Sequence, residues 1–116
     1  MMTFDEAQNR VHQWISKFEE GYFPTFEQLA RIVEEVGELA RAISHREGVK
    51  KPKPNESLHD IEEEFGDLMF VLICFANAHH IRIETAVEKT IQKIETRDTA
   101  RWTLKKDFTD VQNEKN

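Results

Sequence analysis

Cysteine and tyrosine each occur once in this chain, proline three times and glycine four times. A lone cysteine, Cys74, forbids an internal disulfide and a cysteine-only metal site. Its setting, Leu68-Met69-Phe70-Val71-Leu72-Ile73-Cys74-Phe75-Ala76, reads as that of a buried structural thiol. This apolar run is far too short to cross a bilayer, so no membrane association is expected. Asp5, Glu6 and Arg10 precede any apolar stretch, which argues against a secretory signal and for a cytoplasmic protein. Basic charge is scarce too, since sixteen Lys and Arg against twenty-two Asp and Glu leave a net charge of −6. A general duplex-nucleic-acid binder needs the opposite balance, because its affinity comes from cations on phosphates. A phosphorylated small molecule remains open as a ligand, because a metal cation can mediate between acidic protein and anion.

Period-two alternation is missing, while apolar residues recur at helical spacing almost throughout. The 116 residues therefore read as one all-α domain with its core at about residues 4–104. The first helix, about residues 3–20, places Phe4, Val11, Trp14, Ile15 and Phe18 on one side, and Gly21 to Pro24 interrupts it. The pattern Thr25-x-x-Gln28 predicts a capping box at the start of a second helix ending near His45–Glu47. In that helix Phe26, Leu29, Val33, Val36, Ala40 and Ile43 form a core stripe. Residues 48–56 hold two prolines and three lysines and form a solvated loop, for which an active-site flap and an ordinary surface connection are equally good readings. Asn55 or Ser57 can cap a third helix reaching about His79, apolar on nearly every face and so the most central. A fourth, about residues 83–98, turns Ile83, Val87, Ile91 and Ile94 inward, and residues 105–116 form a frayed tail. Short connections favour antiparallel neighbours, hence a four-helix antiparallel bundle with a short C-terminal segment, able to oligomerise.

Two segments twenty-nine residues apart nearly repeat one another: Glu34-Glu35-Val36-Gly37-Glu38-Leu39-Ala40 and Glu63-Glu64-Phe65-Gly66-Asp67-Leu68-Met69. At about 100° per residue, positions three apart lie on one edge of a helix, one turn along. Glu35 with Glu38, and Glu64 with Asp67, therefore project as pairs beside apolar stripes. If those stripes pack together, four carboxylates converge, and they repel unless a cation lies between them. Gly37 and Gly66 recur at the same phase although glycine inside a helix costs about 1 kcal/mol relative to alanine. Closer approach of a backbone or a ligand at that level would offset this. Oxygen ligands without histidine or cysteine at ligand spacing suit Mg²⁺ or Mn²⁺ rather than zinc. Magnesium shares its shell with substrate phosphates, so the acids point onward to a phosphorylated substrate.

At these residues the chain resembles the MazG-like group of all-alpha nucleoside triphosphate pyrophosphatases. The pattern Glu-Glu-x-x-Glu followed by Glu-x-x-Asp is met by Glu34, Glu35 and Glu38, then Glu64 and Asp67. Glu20-Gly21-Tyr22-Phe23, Glu38-Leu39-Ala40-Arg41, Thr96-Arg97-Asp98 and Arg101-Trp102 extend the likeness over about residues 4–104, nearest to the short, single-module YpjD-like branch. The resemblance implies a Mg²⁺ site of Glu35, Glu38, Glu64 and Asp67, with Glu34 orienting a ligand or handling water. It implies hydrolysis of the α–β linkage of nucleoside triphosphates to monophosphate and pyrophosphate, and a role in cleansing the nucleotide pool. Homo-oligomers, dimers or dimers of dimers, are implied as well.

Other parts of such a site can be sought in the same residues. Lys89, Lys93 and Arg97 are spaced by four, with Arg101 beyond, and fit either phosphate contacts or an exposed ion-paired face. His45 and Trp14 are candidates for contact with the base, although Trp14 also fits a core position. His79 and His80 suit the end of the third helix. A third alternative keeps the fold and hydrolyses a nucleotide-sugar or phosphoribosyl intermediate instead of a triphosphate, while two rival readings have their own signatures. A ferritin-like di-metal bundle uses two Glu-x-x-His motifs, of which Glu56-x-x-His59 is the single instance. A non-catalytic oligomerisation module would leave the acids lining a solvated groove.

Overall fold

The computed structural model describes residues 1–54 and 60–107. Among these residues there are four α-helices, one short 3₁₀ turn at Thr99–Arg101 and no strand, so the fold is all-α. Helix α1 is Phe4–Ile15, α2 Thr25–Arg46, α3 Ile61–Ala78 and α4 Ile83–Asp98. The chain divides into two compact units, Met1–Ile83 and Glu84–Asn116.

In the first unit, local chemistry sets the ends of the helices. Thr3 accepts the Glu6 amide at 3.1 Å while the Glu6 carboxylate accepts the Thr3 amide at 3.3 Å, a full capping box at the start of α1. The helix stops short of residue 20, because Lys17 and Phe18 donate to the Trp14 and Ile15 carbonyls in tight three-residue turns. Gly21, at φ +61°, then reverses the chain. The capping box expected at α2 does not form. Pro24 occupies the cap with ψ 153° and offers no side-chain acceptor, Thr25 is already helical, and Gln28 is turned inward. Asp60 caps α3, its carboxylate accepting the Glu63 amide at 2.7 Å; the caps expected at Asn55 or Ser57 lie outside the described residues, as do Glu56, His59 and the tail beyond Asp107. At its far end His80 takes a left-handed φ of +55°, and the Ile81 amide donates to the Ala76 carbonyl at 2.8 Å.

Helix α3 is central, as its apolar composition predicts, and packs against both α1 and α2. The pairs Gln8–Asn77 and Trp14–Phe70 show α1 antiparallel to α3. Gln28 beside Cys74, and Glu35 beside Glu64 and Asp67, show the same for α2. Helices α1 and α2 therefore run in the same direction, and residues 16–24 carry the chain back between them. A polar network holds this return in place. The Gln8 amide donates to Asn77 (2.9 Å) and to the Ile81 carbonyl (2.8 Å) and accepts the Ile83 amide (2.9 Å). Asn77 donates to the Tyr22 hydroxyl at 3.1 Å, and His12 Nδ1 lies 2.8 Å from that same oxygen. Arg82 closes the end with two bonds to Asp5, the shorter 2.7 Å.

The stripe assigned to the core of α2 faces outward. Phe26 is 85% exposed, and Leu29, Val33, Val36 and Ile43 are exposed as well. The buried face of α2 instead carries Gln28 and Ala42. Helical periodicity identifies an apolar face without saying what covers it, and α2 is apolar on more than one side. The helix glycines follow the same rule. A Cβ at Gly37 or Gly66 would meet no atom within 4 Å, so among the described residues no other segment's backbone approaches either of them closely.

In the second unit, Lys89, Lys93 and Arg97 share one face of α4 and, with Gln92 and Thr96, line an open groove of about 410 Å³. Val87, Ile91 and Ile94, expected to point inward, are exposed, whereas Ile83 is half-buried. Arg97 makes two bonds of 2.9 Å to Asp98, which hold its guanidinium charge more firmly than usual. The Thr99 hydroxyl donates to the Glu95 carbonyl, and the Arg101 guanidinium lies 5.2 Å from the centre of the Trp102 ring.

Candidate metal and nucleotide site

The antiparallel seam between α2 and α3 brings together three of the predicted acids. Carboxylate oxygens of Glu35, Glu64 and Asp67 all lie within 4.8 Å of one another. Glu64 is only 4% exposed, Glu35 is half-buried and Asp67 faces solvent, so the cluster opens outward on the side of Asp67. Burying Glu64 is made tolerable by its place in the first turn of α3, where unpaired backbone amides favour negative charge.

The other two predicted acids stand outside this cluster. Glu38, one turn beyond Glu35, directs its carboxylate to Arg41 at 3.6 Å. Glu34 is solvent-exposed and pairs with Arg31 at 3.2 Å. Arg31 also reaches Glu35 at 3.5 Å, so one guanidinium is shared between an outer acid and a cluster acid. Its place four residues before Glu35 on the same helix was readable, but nothing in the motif assigned it a role.

A cavity of about 240 Å³ lies along the seam from these acids, walled by Trp14, Phe23, Gln28, Arg31, Phe70 and Cys74 among others. Four segments build it: the end of α1, the return around Gly21, and facing turns of α2 and α3. Trp14, one of the two base-contact candidates, stands in this wall, half exposed, with its ring edge-on to Phe70 at 6.3 Å and to Phe18 at 5.0 Å. His45, the other, is half-buried in the last turn of α2 and is not part of the cavity. Gln28 is a residue that pattern reading missed, because the spacing Thr-x-x-Gln fits a cap. Burial raises the Cys74 thiol above its ordinary 9.0, which keeps it protonated and unreactive, as a structural role requires. Tyr22 is likewise raised, chiefly by burial; the Asn77 hydrogen bond opposes this and the Cys74 thiol adds to it.

The donor set fits a hard divalent cation. Three carboxylates, no sulfur and no imidazole, partly open to solvent, are what Mg²⁺ or Mn²⁺ takes when the remaining ligands are water or phosphate oxygens. Among the described residues, no helix is long and apolar enough to cross a membrane.

Comparison with known proteins agrees with this architecture. Residues 25–102 match the model of the MazG nucleotide pyrophosphohydrolase domain. The chain is 44% identical over 105 residues to YpjD of Bacillus subtilis (strain 168), covering 90% of this chain and 95% of that protein. The crystal structure of YPJD from Bacillus subtilis superposes with a TM-score of 0.72 at 42% identity, over 80% of this chain and 95% of the other. That of a Bacillus-conserved MazG protein, a nucleotide pyrophosphohydrolase, superposes with a TM-score of 0.72 at 40% identity, over 86% and 97%. With its acid motif, its all-α fold and a family match over most of its length, the chain belongs to the MazG nucleotide pyrophosphohydrolases, hydrolases of nucleotide phosphoanhydrides.

Proposed function

We propose that this protein cleaves the α–β phosphoanhydride of nucleoside or deoxynucleoside triphosphates, giving monophosphate and pyrophosphate, with Mg²⁺ as cofactor and Mn²⁺ as a substitute. The observation that carries this reading is the meeting of Glu35, Glu64 and Asp67 within 4.8 Å. Those three would hold the metal, and Glu38, one turn from Glu35, would join them by a change of rotamer that releases Arg41. When bound, the metal supplies charge neutralisation at the triphosphate oxygens and at the leaving pyrophosphate. Glu34 and Glu35 are the proposed residues to orient the attacking water and take its proton, a reading supported by Arg31, which pairs with both carboxylates. The water oxygen bonds to the α-phosphorus as the bond to the bridging oxygen breaks, and the electron pair leaves with pyrophosphate. Lys89, Lys93 and Arg97 are the proposed cations for the outer phosphates. Trp14 is the proposed base contact, and His45, outside the cavity at the other end of α2, is the alternative to it.

The outward apolar face of α2 supports self-association into a dimer or a dimer of dimers. Phe26, Leu29, Val33 and Val36 are all exposed along one stripe of the helix, and such apolar faces are where subunits commonly meet. Clearing unwanted nucleotides from the cytoplasmic pool is the role that fits a small enzyme of this kind. The decisive experiment measures pyrophosphate release from common and damaged nucleoside triphosphates, with Mg²⁺ and with chelator. Metal-dependent release from at least one nucleotide is expected. No release from any of them would end the catalytic reading.

A further inference from the structure

We infer that Gln28 selects the substrate's base, its amide oxygen accepting a hydrogen bond from an exocyclic amino group of a base held in the aromatic cavity. This rests on the proposed nucleotide substrate and adds to it a specificity-determining residue and a class of base. Gln28 is 5% exposed, and among the described residues no group donates to its Oε1. Folded proteins seldom keep a buried acceptor unsatisfied, and Gln28 carries one beside a cavity, its oxygen covered until the amide turns.

The orientation of the amide follows from its neighbour. Gln28 Nε2 faces the Cys74 carbonyl at 3.5 Å, a long contact between donor and acceptor. Reversing the amide would set two oxygens against each other, so without a ligand the nitrogen faces Cys74. A turn about the terminal torsion, which is soft in glutamine, gives up that long contact and brings the oxygen to the guest. What it can take is therefore an N–H. At the exocyclic position that separates matched bases, this is the amino group of cytosine or adenine and not the carbonyl of uracil or hypoxanthine, whose nearest donor is the ring N–H beside it.

Position and shape agree with this role. Gln28 precedes Glu35 by seven residues on one helix, which places it about 10 Å along the axis from the acids. That is the reach of a nucleotide from its α-phosphate across the sugar to the far edge of its base. Trp14, Phe23 and Phe70 supply flat apolar walls. An apolar cavity on the order of 150 Å³ accepts a benzene ring, so about 240 Å³ leaves room for a ring bearing polar substituents.

The test compares triphosphates that differ only at the amino position, cytidine against uridine and adenosine against inosine, with the wild-type protein and with Gln28→Leu. The wild type is expected to favour the amino-bearing member of each pair by about tenfold in kcat/KM. Gln28→Leu is expected to bring both ratios close to one while turnover of the oxo-bearing member persists. The same ratios are read as dissociation constants in chelator from tryptophan fluorescence, in a Trp102→Phe background that leaves Trp14 as the reporter. Equal or reversed preference in the wild type overturns the inference even if Gln28→Leu does not fold, and an unchanged ratio in a folded Gln28→Leu overturns it too. Absence of turnover from every nucleotide would instead remove the catalytic reading, with the fluorescence ratios then deciding the role of Gln28.

Discussion

Replacing Asp67 by Asn should make the metal-free protein more stable and the enzyme inactive. Asp67, Glu35 and Glu64 have oxygens within 4.8 Å of one another. At that separation two unit charges repel by about 0.9 kcal/mol even at the dielectric of water. Asp67 takes part in two such pairs, and Arg31 already relieves part of the charge on Glu35. The substitution keeps the shape of the side chain and removes its charge, so a gain of about 1–2 kcal/mol is expected without metal. For a domain of this size each kcal/mol moves the melting temperature by about 3–5 °C. With Mg²⁺ the order reverses. A ligand at a hundred times its dissociation constant stabilises the native state by about 2.7 kcal/mol, and the variant lacks one of the three carboxylates that would bind it. Melting both proteins in chelator and in Mg²⁺, alongside pyrophosphate release, reads all of this. A variant that melts no higher than wild type in chelator, or that keeps both the Mg²⁺-dependent rise and turnover, refutes the reasoning.

Phe26→Asp should dissociate the proposed oligomer: burying a phenylalanine contributes about 2 kcal/mol per copy, so losing two across a twofold interface weakens the dimer about a thousandfold. Sedimentation over a concentration series measures this, and an unchanged assembly would show that the 85%-exposed ring has another purpose. Raising the pH should lower stability, because Cys74 and Tyr22 hold their protons more tightly when folded than when unfolded. Their contribution is complete below the ordinary values of 9.0 and 10.0 and is lost as the pH climbs through the higher folded ones. Denaturant titrations from pH 8 to 11 should follow that fall, and a Cys74→Ala variant should lose less over the same range. His80→Gly should stabilise the protein by about 0.5–1 kcal/mol, since His80 sits at φ +55°; a lower melting temperature would mean that the imidazole contributes more than its backbone strain takes away.

How far the site could be read in advance differs from residue to residue. Glu35, Glu64 and Asp67 were legible because a spacing of three residues on a helix is itself a statement about geometry, made twice. The central place of α3 was legible from its all-round apolar composition, for the same kind of reason. The face of α2 was not. Phe26 to Ile43 form a regular stripe, yet a stripe says only that something apolar is needed opposite it, and among the described residues these side chains stay exposed. Gln28 was hidden by a pattern that two structures satisfy equally well, a helix cap and an inward amide. Pro24 decided between them by taking the cap position first. The cavity was out of reach altogether, since it needs α1, the return at Gly21 and both acid-bearing helices in their final places.

The return formed by residues 16–24 also separates two properties of this molecule. The carboxylates sit on α2 and α3 alone, whereas much of the aromatic wall comes from α1 and the turn behind it. The shared family pattern begins at Thr25, just after that wall has been contributed. Substitutions in the first two dozen residues of this chain should therefore reshape the chamber around Gln28 while the acid cluster stays untouched. Room for the guest and the chemistry done on it are held by different stretches of one molecule.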